Sequence, residues 1–427
     1  MAFRNGVLIA LSVVAAACNG SGQEPSALVD AARIDAVLSD YVRRGDLVGV
    51  SALVYEDGRE AYYGAFGMAD REQAVPMQRD TLVRIYSMTK PITGVTLMTL
   101  YEEGAFGLDD PLAEYLPEFD GIRVYAGEED GLPVLVVPSR APTIRDILRH
   151  TAGFTNDDVD TWVGQRYREA DVLAADNTLA DLSRSLAEVP LESHPGTRWH
   201  YGISVDVQAR LVEILTGMPF ADVMRERVLD PLGMADTRYR LLPGQLDRFA
   251  AIYQREPDGS FTHIDSYDGD TSNTEEWVLT PGGWGLVSTL DDYMRFARML
   301  LNGGELDGVR ILEPRTVELM ATDAMPDTVT DRAWLPGKGQ VGFGIDLAVR
   351  IALPADNAEN SGALGEFFWD GAANTLFWVD PANDIAAVLF VQYVPFGPPP
   401  IQKDFRDAVY YRDRAASALS KPPRATD

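Results

Sequence analysis

The segment "TLVRIYSMTKPITGVTLMTLYEEG", residues 81–104, changes character twice within a short length of chain. "TLVRIY" reads as an extended approach, Ser87 stands where a helix begins, and "ITGVTLMTLYEEG" supplies that helix's apolar face. Pro91 fits only a first turn, where its missing N–H has no intrahelical partner to lose. Ser87 and Lys90, three residues apart, therefore share one helical face at the positive end of the helix. The lysine is conspicuous because the chain has only four, against thirty-three arginines. A guanidinium cannot give up its proton, whereas a desolvated amine can, and can then act as a base toward a hydroxyl. The same spacing also fits a capping serine beside a solvated lysine.

Working outward, the pattern on either side is different. Residues 28–43 place Ile34, Val37, Leu38 and Tyr41 on one helical face. "VGVSALVYE" and "REAYYGAFG" read as two strands joined at Asp57-Gly58, a hairpin signal. From Ser87 to about residue 280 helical patterns dominate, as in "TIRDILRHT", "VDVQARLVEILTG" and "FADVMRERVLDPLG". "STLDDYMRFARMLLNGG" is a capped amphipathic helix ending in Gly-Gly. The C-terminal third returns to strands, "VGFGIDLAV", "LGEFFW", "NTLFWVD" and "IAAVLFVQYV", with "DPAND" as the turn between the last two and a final helix over 403–419. This order predicts an α+β fold, an antiparallel sheet drawn from both chain ends with helices flanking it and a mainly helical insertion. The expected divisions are 28–85 with 283–427 for the sheet domain and 86–282 for the helical one.

The chain has 427 residues, 46% of them hydrophobic, and a formal net charge of −28. Such a field repels nucleic acid and anionic membrane surfaces, so neither is an expected partner. Arg4 precedes "GVLIALSVVAAAC", an apolar run too short to span a bilayer and laid out as a secretory signal over residues 1–17. Cys18 is the sole cysteine, which excludes an internal disulfide, and its place after "AAA" resembles a bacterial lipobox with Ala15 where Leu is preferred. Plain secretion remains the alternative. The expectation is an exported envelope protein, lipid-anchored at Cys18 and tethered by residues 18–27. No G-x-S-x-G elbow and no H-E-x-x-H is present, and four histidines without ligand spacing predict no metal. "GKGQVG", residues 337–342, fits G-x-G-x-x-G but precedes a strand, the reverse of a dinucleotide site, so no cofactor is expected.

"SMTK" at 87–90, "HYGIS" at 200–204 and "WDGA" at 369–372 occur in one order, with the flanks "LDDPLAEYLPEF", "TIRDILRHTAGF" and "GGWGLVSTLDDYMRFARMLL". Over residues 30–415 the chain resembles the serine β-lactamase and penicillin-binding protein superfamily, and within it the class C β-lactamase-like family VIII carboxylesterases. The resemblance implies Ser87 as nucleophile, Lys90 and Tyr201 as its base, and the backbone N–H groups of Ser87 and Ala372 as the oxyanion hole. It also puts Trp369, Asp370, Gly371 and Ile203 at the substrate. Relatives acting on lactams and D,D-peptides carry a cation opening the third element and an Asn or Ser at the third place of the second. Trp369 and Ile203 stand there instead. Losing a charge-assisted contact costs about 1.5–3 kcal/mol for a carboxylate-bearing substrate and nothing for a neutral ester. The expectation is a carboxylesterase on short-chain acyl esters. The alternatives are a β-lactamase, a D-amino-acid amidase or a D,D-peptidase of the envelope, and a lipoprotein that binds without reacting.

Overall fold

The structure, a computed structural model, describes residues 28–156, 160–267 and 269–411. The signal run, Cys18 and the tether to Ala27 lie outside the described residues, as does the end of the expected C-terminal helix.

The Asp57-Gly58 hairpin forms as read, between β1 (Gly49–Glu56) and β2 (Arg59–Asp70). Both turn residues have positive φ, 51° and 70°, the geometry that matches the twist of paired strands. β3 (Val75–Pro76) follows β2 at the sheet edge. The other five strands come from the far end of the chain: β4 (Val341–Phe343), β5 (Ala348–Arg350), β6 (Phe367–Asp370), β7 (Leu376–Asp380) and β8 (Ile385–Phe390). Their order is β4-β5-β6-β7-β8-β1-β2-β3, antiparallel throughout. β8 against β1 joins the two ends, with Ser51 opposite Phe390 and Glu56 opposite Ile385.

"VGFGIDLAV", read as one strand, is instead two. The chain turns at Asp346, which takes φ 53°, and the Gly344 N–H donates to the Leu347 carbonyl. The final helix begins at Ile401, two residues earlier than read, and is followed to Val409.

Both faces of the sheet are covered. Adjacent residues on a strand point to opposite faces. Phe377 meets Tyr293 and Phe296 of the helix Leu290–Leu301, while Trp378 meets Phe405 of the helix Ile401–Val409. The helix α1 (Ala31–Arg43) packs beside the C-terminal helix, and Tyr41 donates to Asp404 at 2.6 Å. Between the two halves of the sheet the chain is mostly helical, although it includes a hairpin, Val124–Glu129 with Leu132–Val136, and a pair of strands, Ile252–Arg255 and Phe261–Ile264.

α2 (Thr89–Glu102) is the element that matters for the site. It was expected to bury one face, but every residue from Thr89 to Leu100 is buried. Its threonines explain how a helix can be enclosed on all sides. Thr93 donates to the Gly282 carbonyl at 2.6 Å, Thr96 and Thr99 donate to carbonyls of α2 itself, and Thr89 accepts from the Leu286 N–H. The helix is thereby fixed to the loop 282–286 as well as to the core.

Candidate active site

Ser87 sits in a 3-10 turn, Tyr86–Met88, just before α2. Of residues 81–100 it is the only one that is not buried. The residue before it, Tyr86, has φ 44°, a conformation that a non-glycine residue rarely adopts. This bend presents the Ser87 side chain at the surface of an otherwise enclosed segment.

Lys90 and Ser87 are brought together as the spacing predicts. Lys90 Nζ lies 3.2 Å from Ser87 Oγ and donates to the Gly283 carbonyl at 2.7 Å. It also lies 4.5 Å from the centre of the Tyr201 ring. Burial drives its pKa down to about 8, against the attraction of nearby carboxylates led by Asp206. A neutral amine is therefore accessible near physiological pH, which an arginine could not provide.

Tyr201 precedes the helix α4 (Ser204–Thr216; α3 is Ile144–Leu148). The Trp369 indole Nε1–H donates to its hydroxyl oxygen at 3.0 Å, and Ser87 is near enough to act on the same hydroxyl. Burial raises the Tyr201 pKa, so it is a phenol at neutral pH. Around it stand Trp199, His150, Trp334 and Trp369, with ring centres 4.8 to 5.8 Å away. His150 is fully buried, and burial holds its pKa well below the usual range, so it adds no charge beneath Tyr201.

Four residues were expected at the substrate. Gly371 lies against the chain just before the nucleophile, because a Cβ there would be 2.5 Å from the Ile85 carbonyl oxygen. Ala372, half-buried, follows in the turn between β6 and β7 and packs in one cluster with Tyr86. Trp369 is only 1% exposed and turns its N–H to Tyr201, a contact that orients the phenol. Ile203 is also 1% exposed and packs in the core.

Asp370 holds a residue that sequence reasoning missed. Lys338 forms an ion pair with its carboxylate. The ammonium lies 5.0 to 5.2 Å from the ring centres of Trp334, Trp369 and Phe396. A cation thus reaches the third element from a segment 32 residues earlier, although Asp370 neutralises it. Asp206, Gly283, His150 and Trp334 were missed as well. Of these, only Asp206, five residues after Tyr201 in the first turn of the helix that follows it, had a local signal.

Residues 34–412 match the Beta-lactamase family. Esterase EstB of Burkholderia gladioli is 31% identical over 405 residues, covering 90% of this chain and 95% of EstB. Among solved structures, "EstCE1, a hydrolase with promiscuous acyltransferase activity" superposes with a TM-score of 0.72 and 26% identity, over 89% of this chain and 98% of EstCE1. Simvastatin synthase (LovD) from Aspergillus terreus shares the fold, with a TM-score of 0.77 at 24% identity over 89% of this chain and 97% of LovD. The chain thus has a β-lactamase/transpeptidase-like fold, is a serine hydrolase, and belongs to the Beta-lactamase family.

Proposed function

We propose that this serine hydrolase is a carboxylesterase that cleaves uncharged short-chain acyl esters through an acyl-enzyme. The observation that carries the reading is the contact between Lys90 Nζ and Ser87 Oγ, 3.2 Å, with the Tyr201 ring centre 4.5 Å from the same amine. Neutral Lys90 takes the Ser87 proton as Oγ attacks the acyl carbon and a C–O bond forms. The Ser87 and Ala372 N–H groups receive the oxyanion. As the intermediate collapses, the bond to the alcohol breaks and the proton passes through the Tyr201 hydroxyl to the leaving oxygen. Water then enters, the same groups act in reverse, and the carboxylic acid leaves.

The neutral Lys338–Asp370 pair supports an uncharged substrate over a lactam or peptide bearing a carboxylate. EstB is named an esterase, which favours the same substrate class. The test is release of p-nitrophenol from p-nitrophenyl butyrate. Wild type should give a burst stoichiometric with enzyme, and Ser87→Ala should give neither a burst nor labelling by a fluorophosphonate. Full labelling of Ser87→Ala would overturn the assignment, and faster turnover of a chromogenic cephalosporin than of the ester would overturn the substrate class.

A further inference from the structure

Three carboxylates act on the Lys90 ammonium: Asp206, Asp346 and Asp370. They are not equivalent. Asp346, in the turn between β4 and β5, is fully buried, and burial raises its pKa well above the carboxylate range. Burial disfavours its charged form, and its Oδ1 accepts from Gln208 Nε2 at 3.1 Å. Asp370, at the end of β6, is paired with Lys338. Asp206, in the first turn of α4, is 3% exposed and forms no ion pair within 4 Å among the described residues. The remaining groups near the amine carry no charge: Ser87, the Tyr201 phenol and the buried His150 ring. Tyr239, which faces Asp206, is likewise a phenol.

Asp206 and Lys90 meet through a single residue. The Gly283 N–H donates to Asp206 Oδ1 at 3.2 Å, and the Gly283 carbonyl accepts from Lys90 Nζ at 2.7 Å. A Cβ on Gly283 would lie 3.2 Å from Asp206 Oδ2 and 3.2 Å from Lys90 Nζ. The carboxylate and the amine therefore flank the same α-carbon. The neighbouring Gly282 has no freedom to move away, since a Cβ there would be 2.2 Å from the Val205 carbonyl and its own carbonyl is held by Thr93.

We propose that Asp206 is the positioning residue of Lys90, aiming the Gly283 carbonyl at the amine and supplying a negative charge, unpaired with any cation among the described residues, that lets a buried lysine take a proton and hold it. The proposal rests on the reading of Lys90 as the base. Without that charge, burial would favour the neutral amine still further and make it a poorer carrier of the proton between Ser87 and the leaving group. A base works best with both of its forms within reach of the ambient pH. Asp206 keeps Lys90 in that range.

The experiment compares wild type with Asp206→Asn, which keeps the side-chain shape and removes the charge. In wild type the kcat/KM for p-nitrophenyl butyrate should rise with pH through the Lys90 titration. In Asp206→Asn the midpoint should move to lower pH by at least about one unit, the least expected on losing an opposite charge this close. A lowered plateau with an unmoved midpoint would mean a structural role only and would overturn the proposal. With lysine labelled at 13Cε, the chain's four lysines give few signals, and Lys90→Arg assigns the one of interest. The Lys90 signal in Asp206→Asn should move by the same increment as the kinetic midpoint. A moved signal with an unmoved kinetic profile would support the Asp206–Lys90 coupling and refute Lys90 as the base. Should Asp206→Asn fail to fold, wild type alone decides: its Lys90 signal should show a second, smaller step near pH 6, where Asp206 gains its proton. The absence of that step would overturn the proposal.

Discussion

Replacing Trp369 with Phe tests how Tyr201 is made competent. The substitution keeps an apolar ring on β6 and deletes one donor, the Nε1–H that points at the Tyr201 oxygen from 3.0 Å. Tyr201 is a phenol at rest, so the bond is an ordinary one in the ground state. While the proton passes through Tyr201, its oxygen takes on phenolate character and the same bond becomes charge-assisted. Hydrogen bonds to charged groups contribute about 1.5–3 kcal/mol, which corresponds to roughly 10- to 150-fold in rate. The loss should fall on kcat with KM nearly unchanged, because the donor acts only when charge develops. Trimming a buried indole also costs the fold about 1–3 kcal/mol, so a thermal melt must confirm that the variant is folded at the assay temperature. Steady-state kinetics on p-nitrophenyl butyrate with Trp369→Phe and wild type give both parameters. If KM rises and kcat holds, Trp369 touches the substrate itself and the orienting role is refuted. An unchanged kcat and KM would refute both roles.

Two further perturbations follow from the site. Lys90→Arg keeps a cation that cannot deprotonate, so kcat/KM should fall by about 10²–10⁴-fold, the usual contribution of a general base. The sign of the pH effect is fixed by the chemistry: the neutral amine is the active form, so wild-type kcat/KM climbs as pH approaches and passes about 8, and the arginine variant should show no such climb. Trp334, 47% exposed with its ring 5.2 Å from Tyr201, would meet the alcohol if the leaving oxygen takes its proton from Tyr201. Trp334→Ala should lower kcat/KM for a phenyl ester by roughly 2- to 10-fold, the range of one aromatic contact, and leave the methyl ester of the same acid unchanged. Equal losses on both esters would remove Trp334 from the alcohol side.

Much of this arrangement is legible in the sequence where it is local. Asp57-Gly58 encodes its own turn, and Thr289 caps the helix it precedes by accepting from the Asp292 N–H. Ser87 and Lys90 meet because three residues of helical chain bring them together. The misreadings share a cause. "VGFGIDLAV" carries no standard turn pair, and the chain reverses there because packing accepts Asp346 at positive φ. Lys338 pairs with Asp370 across 32 residues, and Gly283 reaches Lys90 across 193. Nothing in the spacing of the chain announces a contact made by tertiary packing. The one-sided helix expected after Ser87 failed for a related reason, since threonines that look polar in sequence are satisfied by backbone carbonyls inside the core.

Enclosing α2 on all sides divides the protein into a part that is difficult to change and a part that is open to change. A substitution along Thr89–Leu100 must find room in a filled interior, so the position of the nucleophile is inherited almost as a unit. Trp334 and Phe396, by contrast, stand on exposed loops from distant parts of the chain. Altering them reshapes what can approach Ser87 without moving it. New substrate ranges can therefore accumulate at the rim, one exposed residue at a time, over a reaction centre that stays the same.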